Sequence, residues 1–133
     1  PNSNMEILRQ KIKADKKLVV ASNMNLSEAE AKAFWPIYEE YQTELRKVNE
    51  QLAAVIVNYA ADFNANTLTD DKALRLVDQM MMAEQADTTL KQTFVPRLSK
   101  VLPGKKVARY VQIEGKIRAI VRYELAGGVP LVP

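Results

Sequence analysis

The chain contains no cysteine and no histidine. It therefore cannot form a disulfide, use a thiolate nucleophile or a histidine base, or build a zinc site of the usual Cys and His ligands. It also lacks an apolar run near the 18 residues of a membrane span, which predicts against membrane insertion. No phosphate-binding loop and no paired nucleophile and base stand out, so the sequence predicts no cofactor and no enzyme activity.

Glycine and aromatic residues are also scarce, with 4 Gly, 5 Tyr, 3 Phe and 1 Trp among 133 residues. Ala, Leu, Val, Glu, Lys and Gln fill most of the chain, and these residues favour helices. We predict one all-α domain over 1–133, an elongated four-helix protein. The expected helices are about 4–21, 27–62, 69–95 continuing with a kink to about 102, and 105–126, with an apolar tail over 127–133.

The longest predicted helix organises the others. Its apolar positions recur four and three residues apart, which forms one continuous stripe on a helix. They are Phe34, Tyr38, Tyr41, Leu45, Val48, Leu52, Val55 and Tyr59. Ser27 and Glu30 have the spacing of a capping box at its start, and Pro36 predicts a kink. The helix is too long for a compact globule, so the third helix, capped by Thr69, is expected to return along the stripe as an antiparallel hairpin.

The third and fourth helices carry matching apolar faces. On the third helix these positions are Ala73, Leu76, Met80, Ala83, Leu90 and Phe94, with Asp87 interrupting the series. On the fourth helix they are Val107, Tyr110, Val111, Ile113, Ile117, Ile120, Val121 and Leu125. Glu114 projects from the middle of that second arc. Because an unpaired buried charge is costly, we expect Glu114 to pair with Arg118, Arg109 or a base of the first helix.

Three residues are candidates for an interface. Trp35 lies about 100° around the helix from the stripe. Either the first helix or the tail covers it, or it serves as a subunit interface or an exposed anchor for a client protein. Tyr38 and Met81 are the other two candidates. Met81 belongs to a run of three methionines that point about 100° apart, so they cannot converge on one metal ion. Core packing or an adaptable apolar surface is the favoured interpretation of that run.

The net charge is only +3, but its distribution is uneven. Residues 27–91 hold most of the acids, whereas residues 97–122 hold eight bases and one acid. The basic patch proposed for partner binding consists of Arg97, Lys100, Lys105, Lys106, Arg109 and Lys116. It would steer acidic or unfolded polypeptides, although a solvated surface is the plain alternative. Nucleic acid is disfavoured because no recognition motif accompanies the patch and the acidic middle would repel phosphates.

Two motifs carry a resemblance to a known family. Leu26-Ser27-Glu28-Ala29-Glu30 and Leu68-Thr69-Asp70-Asp71-Lys72 each open a long helix. They resemble the paired LTxxQ motifs of the Spy/CpxP-like family of small periplasmic helical proteins, with Glu30 and Lys72 in place of the final Gln. Phe34-Trp35-Pro36-Ile37-Tyr38 and Leu102-Pro103-Gly104-Lys105-Lys106 are similar to segments of exported bacterial proteins of the same form.

The resemblance implies export to the periplasm after removal of a signal peptide, and a homodimer of thin helical hairpins. It also implies an ATP-independent holding chaperone or an envelope-stress protein, with unfolded or envelope proteins as partners. No small-molecule substrate is expected. The alternative function is a signalling or regulatory adaptor that docks one specific envelope protein.

Overall fold

The computed structural model describes residues 14–133, and the predicted start of the first helix at residue 4 lies outside this range. The chain forms α1 over residues 14–24, α2 at Glu28–Ala65, α3 at Asp70–Ser99 and α4 at Gly104–Gly128. Residues 14–133 contain no strand. The all-α class is confirmed, and α2 and α3 form the antiparallel hairpin that gives the molecule its length.

α2 has 38 residues and extends for roughly 57 Å at 1.5 Å per residue. The predicted capping box is present: the Ser27 N–H donates to Glu30 Oε1 at 2.8 Å and the Glu30 N–H donates to Ser27 Oγ at 3.2 Å. The helix continues through Pro36. It ends at Ala65, three residues later than predicted, and is capped by Asn66, which takes the left-handed conformation with φ 59° and donates its N–H to the preceding turn.

Ser27→Ala is expected to lower the free energy of unfolding by about 1 kcal/mol, because an early N–H of α2 loses its acceptor. Thermal unfolding followed by circular dichroism measures the change. Ser99→Ala is the matched control, since the Ser99 hydroxyl only donates to the Val95 carbonyl within α3 and should shift stability by less than about 0.5 kcal/mol. Equal losses in the two variants would contradict a capping role for Ser27.

α3 and α4 also differ from their predicted ends. The Thr69 hydroxyl caps α3 by accepting from the Lys72 N–H at 3.2 Å. α3 runs through Pro96 and ends at Ser99 rather than near 102, and α4 starts at Gly104 immediately after Pro103. A proline inside a helix removes one backbone donor without necessarily ending the helix. α4 continues to Gly128, so the apolar tail is residues 129–133.

The main core lies where α1 ends and α4 begins. Phe34, Tyr38 and Tyr41 of α2 surround Tyr110 of α4, with ring centroids 5.1, 6.1 and 6.3 Å from it. The other buried apolar side chains of this aromatic end are Val20, Met24, Leu45, Phe94, Leu98, Leu102 and Val107. Seven of the eight residues of the α2 stripe are buried, which confirms the predicted periodicity.

The other end of the molecule is open. The predicted apolar face of α4 is buried at Val107 and Tyr110, but Ile120, Val121 and Leu125 are 62, 50 and 43% exposed. On α3, Met80 is 47% exposed although it belongs to the predicted core face. Side chains with core spacing therefore remain uncovered at this open end.

Candidate functional site

A buried charge layer separates the two ends. Glu114 is 5% exposed, and Lys16 Nζ lies 2.7 Å from its Oε1. Gln42 Nε2 donates to Glu114 Oε2 at 2.8 Å, and the Tyr110 hydroxyl donates to the same oxygen. The prediction that Glu114 pairs with a base of the first helix is confirmed.

Asp87 of α3 belongs to the same layer and pairs with Arg118, which lies one turn further along α4 than Glu114. Asp87 is 6% exposed, and its Oδ2 lies 3.3 Å from both Lys91 Nζ and Arg118 Nε. Arg118 also donates to Asn49 Oδ1 at 3.0 Å. Asp87 thus interrupts the α3 stripe because its carboxylate is paired with bases of α3 and α4.

Beyond the charge layer lies an apolar groove of about 490 Å³. It is formed by α2, α3, the end of α4 and the apolar tail. Its apolar walls are Leu52, Val55, Ile56, Tyr59, Ala73, Leu76, Val77, Met80, Ala83, Leu125, Ala126 and residues 129–132. Only Glu84, Arg118 and Arg122 add charged groups to its lining. The volume is in the range of ligand-binding clefts.

The apolar tail closes one side of this groove. The Tyr59 hydroxyl donates to the Pro130 carbonyl at 2.7 Å, and Val129 has extended backbone angles. The tail therefore packs against its own chain. The sequence pattern places Tyr59 only in the core stripe and does not predict its contact with the tail.

A second cavity of about 470 Å³ is lined by residues of α2, α3 and α4. It shares Leu52, Ile56 and Leu125 with the groove, while Lys16, Asp87 and Glu114 of the charge layer lie at one end. The C-terminal half of α4 therefore packs more loosely than the aromatic end.

Large exposed apolar side chains concentrate at the open end. Those on the hairpin are Val57, Leu74, Val77, Met80, Met81 and Met82, and those on α4 and the tail are Ile120, Val121, Tyr123, Leu125, Val129, Leu131 and Val132. A concentration of large exposed apolar side chains is a feature of many protein-binding surfaces.

The six residues of the predicted basic patch have different environments. Arg97 pairs with Glu40 and lies over the Phe94 ring. Lys106 pairs with Glu30 at 2.6 Å, and Arg109 donates to the Asn23 carbonyl. These three bases hold helices together. Lys100, Lys105 and Lys116 are exposed and remain the members of the patch best placed to meet a partner.

The three interface candidates also differ in how far they are buried. Tyr38 is 2% exposed, so its assignment to an interface is wrong: it lies in the core of a single chain, packed against Phe34 and Tyr110. Trp35 is half-buried, with Lys17 of α1 lying over its ring. Met81 is 54% exposed and stays a candidate.

Two kinds of environment shift pKa values. The hydrogen bond from Lys106, followed by the one from the Ser27 N–H, lowers the pKa of Glu30. Burial raises the pKa of Tyr38, Tyr41 and Tyr110, and the Glu114 carboxylate adds to each shift. The charge layer is consequently surrounded by hydroxyl groups that stay protonated well above their usual range.

Within residues 14–133, no cluster of acidic side chains is arranged to hold a metal ion. None of the helices in that range is long and apolar enough to cross a membrane. The groove is thus the feature of the described chain best suited to bind another molecule.

Comparison with protein-family models, curated proteins and solved structures finds no match to this chain. The resemblance to the Spy/CpxP-like family stays a prediction.

Proposed function

We propose that this protein is a non-enzymatic, ATP-independent holding chaperone that binds extended apolar segments of non-native proteins in the apolar groove. The observation that carries the proposal is the apolar tail. An extended apolar segment of this chain already lies along the groove, and its Pro130 carbonyl accepts a hydrogen bond from Tyr59. The same groove can hold a similar segment of another protein.

The surroundings of the groove support reversible binding. Its lining includes Met80, which is 47% exposed and whose flexible side chain can adapt to different apolar partners. Away from the groove, the exposed bases Lys100 and Lys105 at the aromatic end and Lys116 of α4 would attract acidic or unfolded chains from a distance. Apolar contact at short range and weak electrostatic steering at long range suit a binder of many clients.

The periplasmic location and the homodimer are parts of the proposal that rest on the resemblance in the sequence. The exposed apolar side chains of the hairpin, such as Leu74 and Met81, are compatible with contact between two copies. A signalling or regulatory adaptor that docks one envelope protein is the alternative, and the experiment below separates the two.

The test measures suppression of the aggregation of an unrelated denatured protein, at low and high salt, with an inert helical protein as a control. Met80→Glu places a charge in the groove lining. It should raise the amount of protein needed for half-suppression at least about fivefold, since burying an unpaired charge is unfavourable. Leu18→Glu is the control, because Leu18 is an apolar side chain of α1 that is 66% exposed and does not line the groove.

The outcomes distinguish the proposals. Loss of suppression in Met80→Glu alone, at unchanged thermal stability, supports binding in the groove. Equal suppression by both variants would exclude the groove as the binding site. Absence of suppression by the unmodified protein at any salt concentration would reject the chaperone and favour the dedicated adaptor.

A further inference from the structure

The tail meets the groove through its backbone and its apolar side chains. Residues 129–132 all line the groove, and the charged groups that α4 adds to its lining are Arg118 and Arg122. Pro130 has a carbonyl oxygen but no N–H, and the Tyr59 hydroxyl donates a hydrogen bond to that oxygen. A bound segment therefore needs only a backbone carbonyl at this position to make the same contact. A proline also favours the extended backbone that Val129 adopts. The site therefore fits an extended apolar segment with a free carbonyl.

The tail covers the groove incompletely. Leu131 is 91% exposed and Val132 is 56% exposed, while Tyr59 beneath them is 8% exposed. Most of the apolar surface of the tail is thus still in water, and releasing it from the groove would expose little more. A segment that buries more apolar surface in the groove would displace it.

We propose that the apolar tail is an internal competitor for the groove, and that the groove prefers extended, uncharged, proline-containing apolar segments like the tail itself. This inference rests on the proposed function and adds its substrate class and its regulation. While the tail occupies the groove, the apparent affinity for a client falls in proportion to the fraction of molecules whose groove is empty. Clients with short or charged segments are then excluded, and strongly apolar segments are retained.

The test uses a dye-labelled peptide with the sequence of residues 127–133, titrated with the full chain and followed by fluorescence anisotropy. A full-length variant carries Val129→Ser, Leu131→Ser and Val132→Ser, which weaken the tail and leave the helical walls of the groove unchanged. The variant should bind the peptide at least about fivefold more tightly than the unmodified chain. Ile120→Ser is the matched control, because Ile120 is 62% exposed on α4 and does not line the groove.

Two further measurements define the contact. In the tail-substituted chain, Tyr59→Phe should weaken peptide binding about fivefold, because the acceptor carbonyl loses its donor. A peptide with Asp at the position of Val129 should bind at least about tenfold more weakly, because Val129 is 37% exposed in the groove whereas Leu131 is 91% exposed. Circular dichroism confirms that each variant keeps its helix content.

Equal peptide affinity in the unmodified and tail-substituted chains would overturn the competitor role. Equal affinity for the Asp-containing peptide, or no peptide binding by either chain, would overturn the proposed substrate class. If aggregation is still suppressed in those cases, the proposed function stands without this inference. If suppression is also absent, the proposed function fails with it.

Discussion

Lys16→Met is expected to lower the free energy of unfolding by about 3–5 kcal/mol, because it leaves the Glu114 carboxylate buried without its counter-charge. Glu114 is 5% exposed and Lys16 Nζ lies 2.7 Å from it. Gln42 and Tyr110 still donate hydrogen bonds to the carboxylate, but they cannot neutralise its charge. Urea unfolding of the variant measures the loss.

Lys17→Met is the matched control for this prediction. Lys17 is the next residue, and it pairs with Glu39 at the surface at 2.8 Å, where a pair contributes about 0–1 kcal/mol. The double variant Lys16→Met and Glu114→Gln should recover part of the loss, since it removes both charges. Similar stability in Lys16→Met and Lys17→Met would show that Glu114 does not depend on Lys16.

The second large effect is a loss of folding stability at alkaline pH. Tyr38, Tyr41 and Tyr110 are 2, 5 and 2% exposed, and burial raises the pKa of each above its ordinary value of 10. Above pH 10 the unfolded chain releases these protons while the folded chain retains them, so stability falls as the pH rises. At pH 12 the loss is about 3 kcal/mol per tyrosine. Three such losses approach the total stability of a typical domain.

The alkaline transition is measured by circular dichroism together with the absorbance of tyrosinate near 295 nm. The three buried tyrosines should ionise in the same step in which the helices unfold. Tyr41→Phe should move the midpoint of unfolding to higher pH, because one of the three groups no longer ionises in the unfolded chain. Ionisation of these tyrosines with unchanged helix content would contradict the prediction.

Periodicity explains why most of the fold could be predicted. The spacing of the α2 stripe identifies its buried face, and Ser27 and Thr69 mark the helix starts through their side-chain acceptors. Helix ends are harder to predict because the tendency of a residue such as Pro96 to end a helix is opposed by the packing of the rest of that helix. α3 retains its helical backbone beyond this proline.

The candidate site was less predictable. Local pattern assigns Leu76, Met80, Val121 and Leu125 to a core face but does not reveal whether another helix covers them. Tyr38 shows the opposite difficulty. The sequence leaves it as an interface candidate, because no local pattern reveals that Tyr110 of α4 covers it. The contact between Tyr59 and Pro130 spans 71 residues of sequence, and no local rule detects such a pairing.

The charge layer also fixes the alignment of α4 along its neighbours. If α4 slid by one turn in one direction, Arg118 would face Lys16, and two positive charges would meet in a buried position. A slide in the other direction would place Tyr110 beside Lys16 and leave that lysine without a carboxylate. Buried polar groups can select one register over others in this way. The charge layer therefore fixes the position of α4 along the long axis without any contribution from the loosely packed open end.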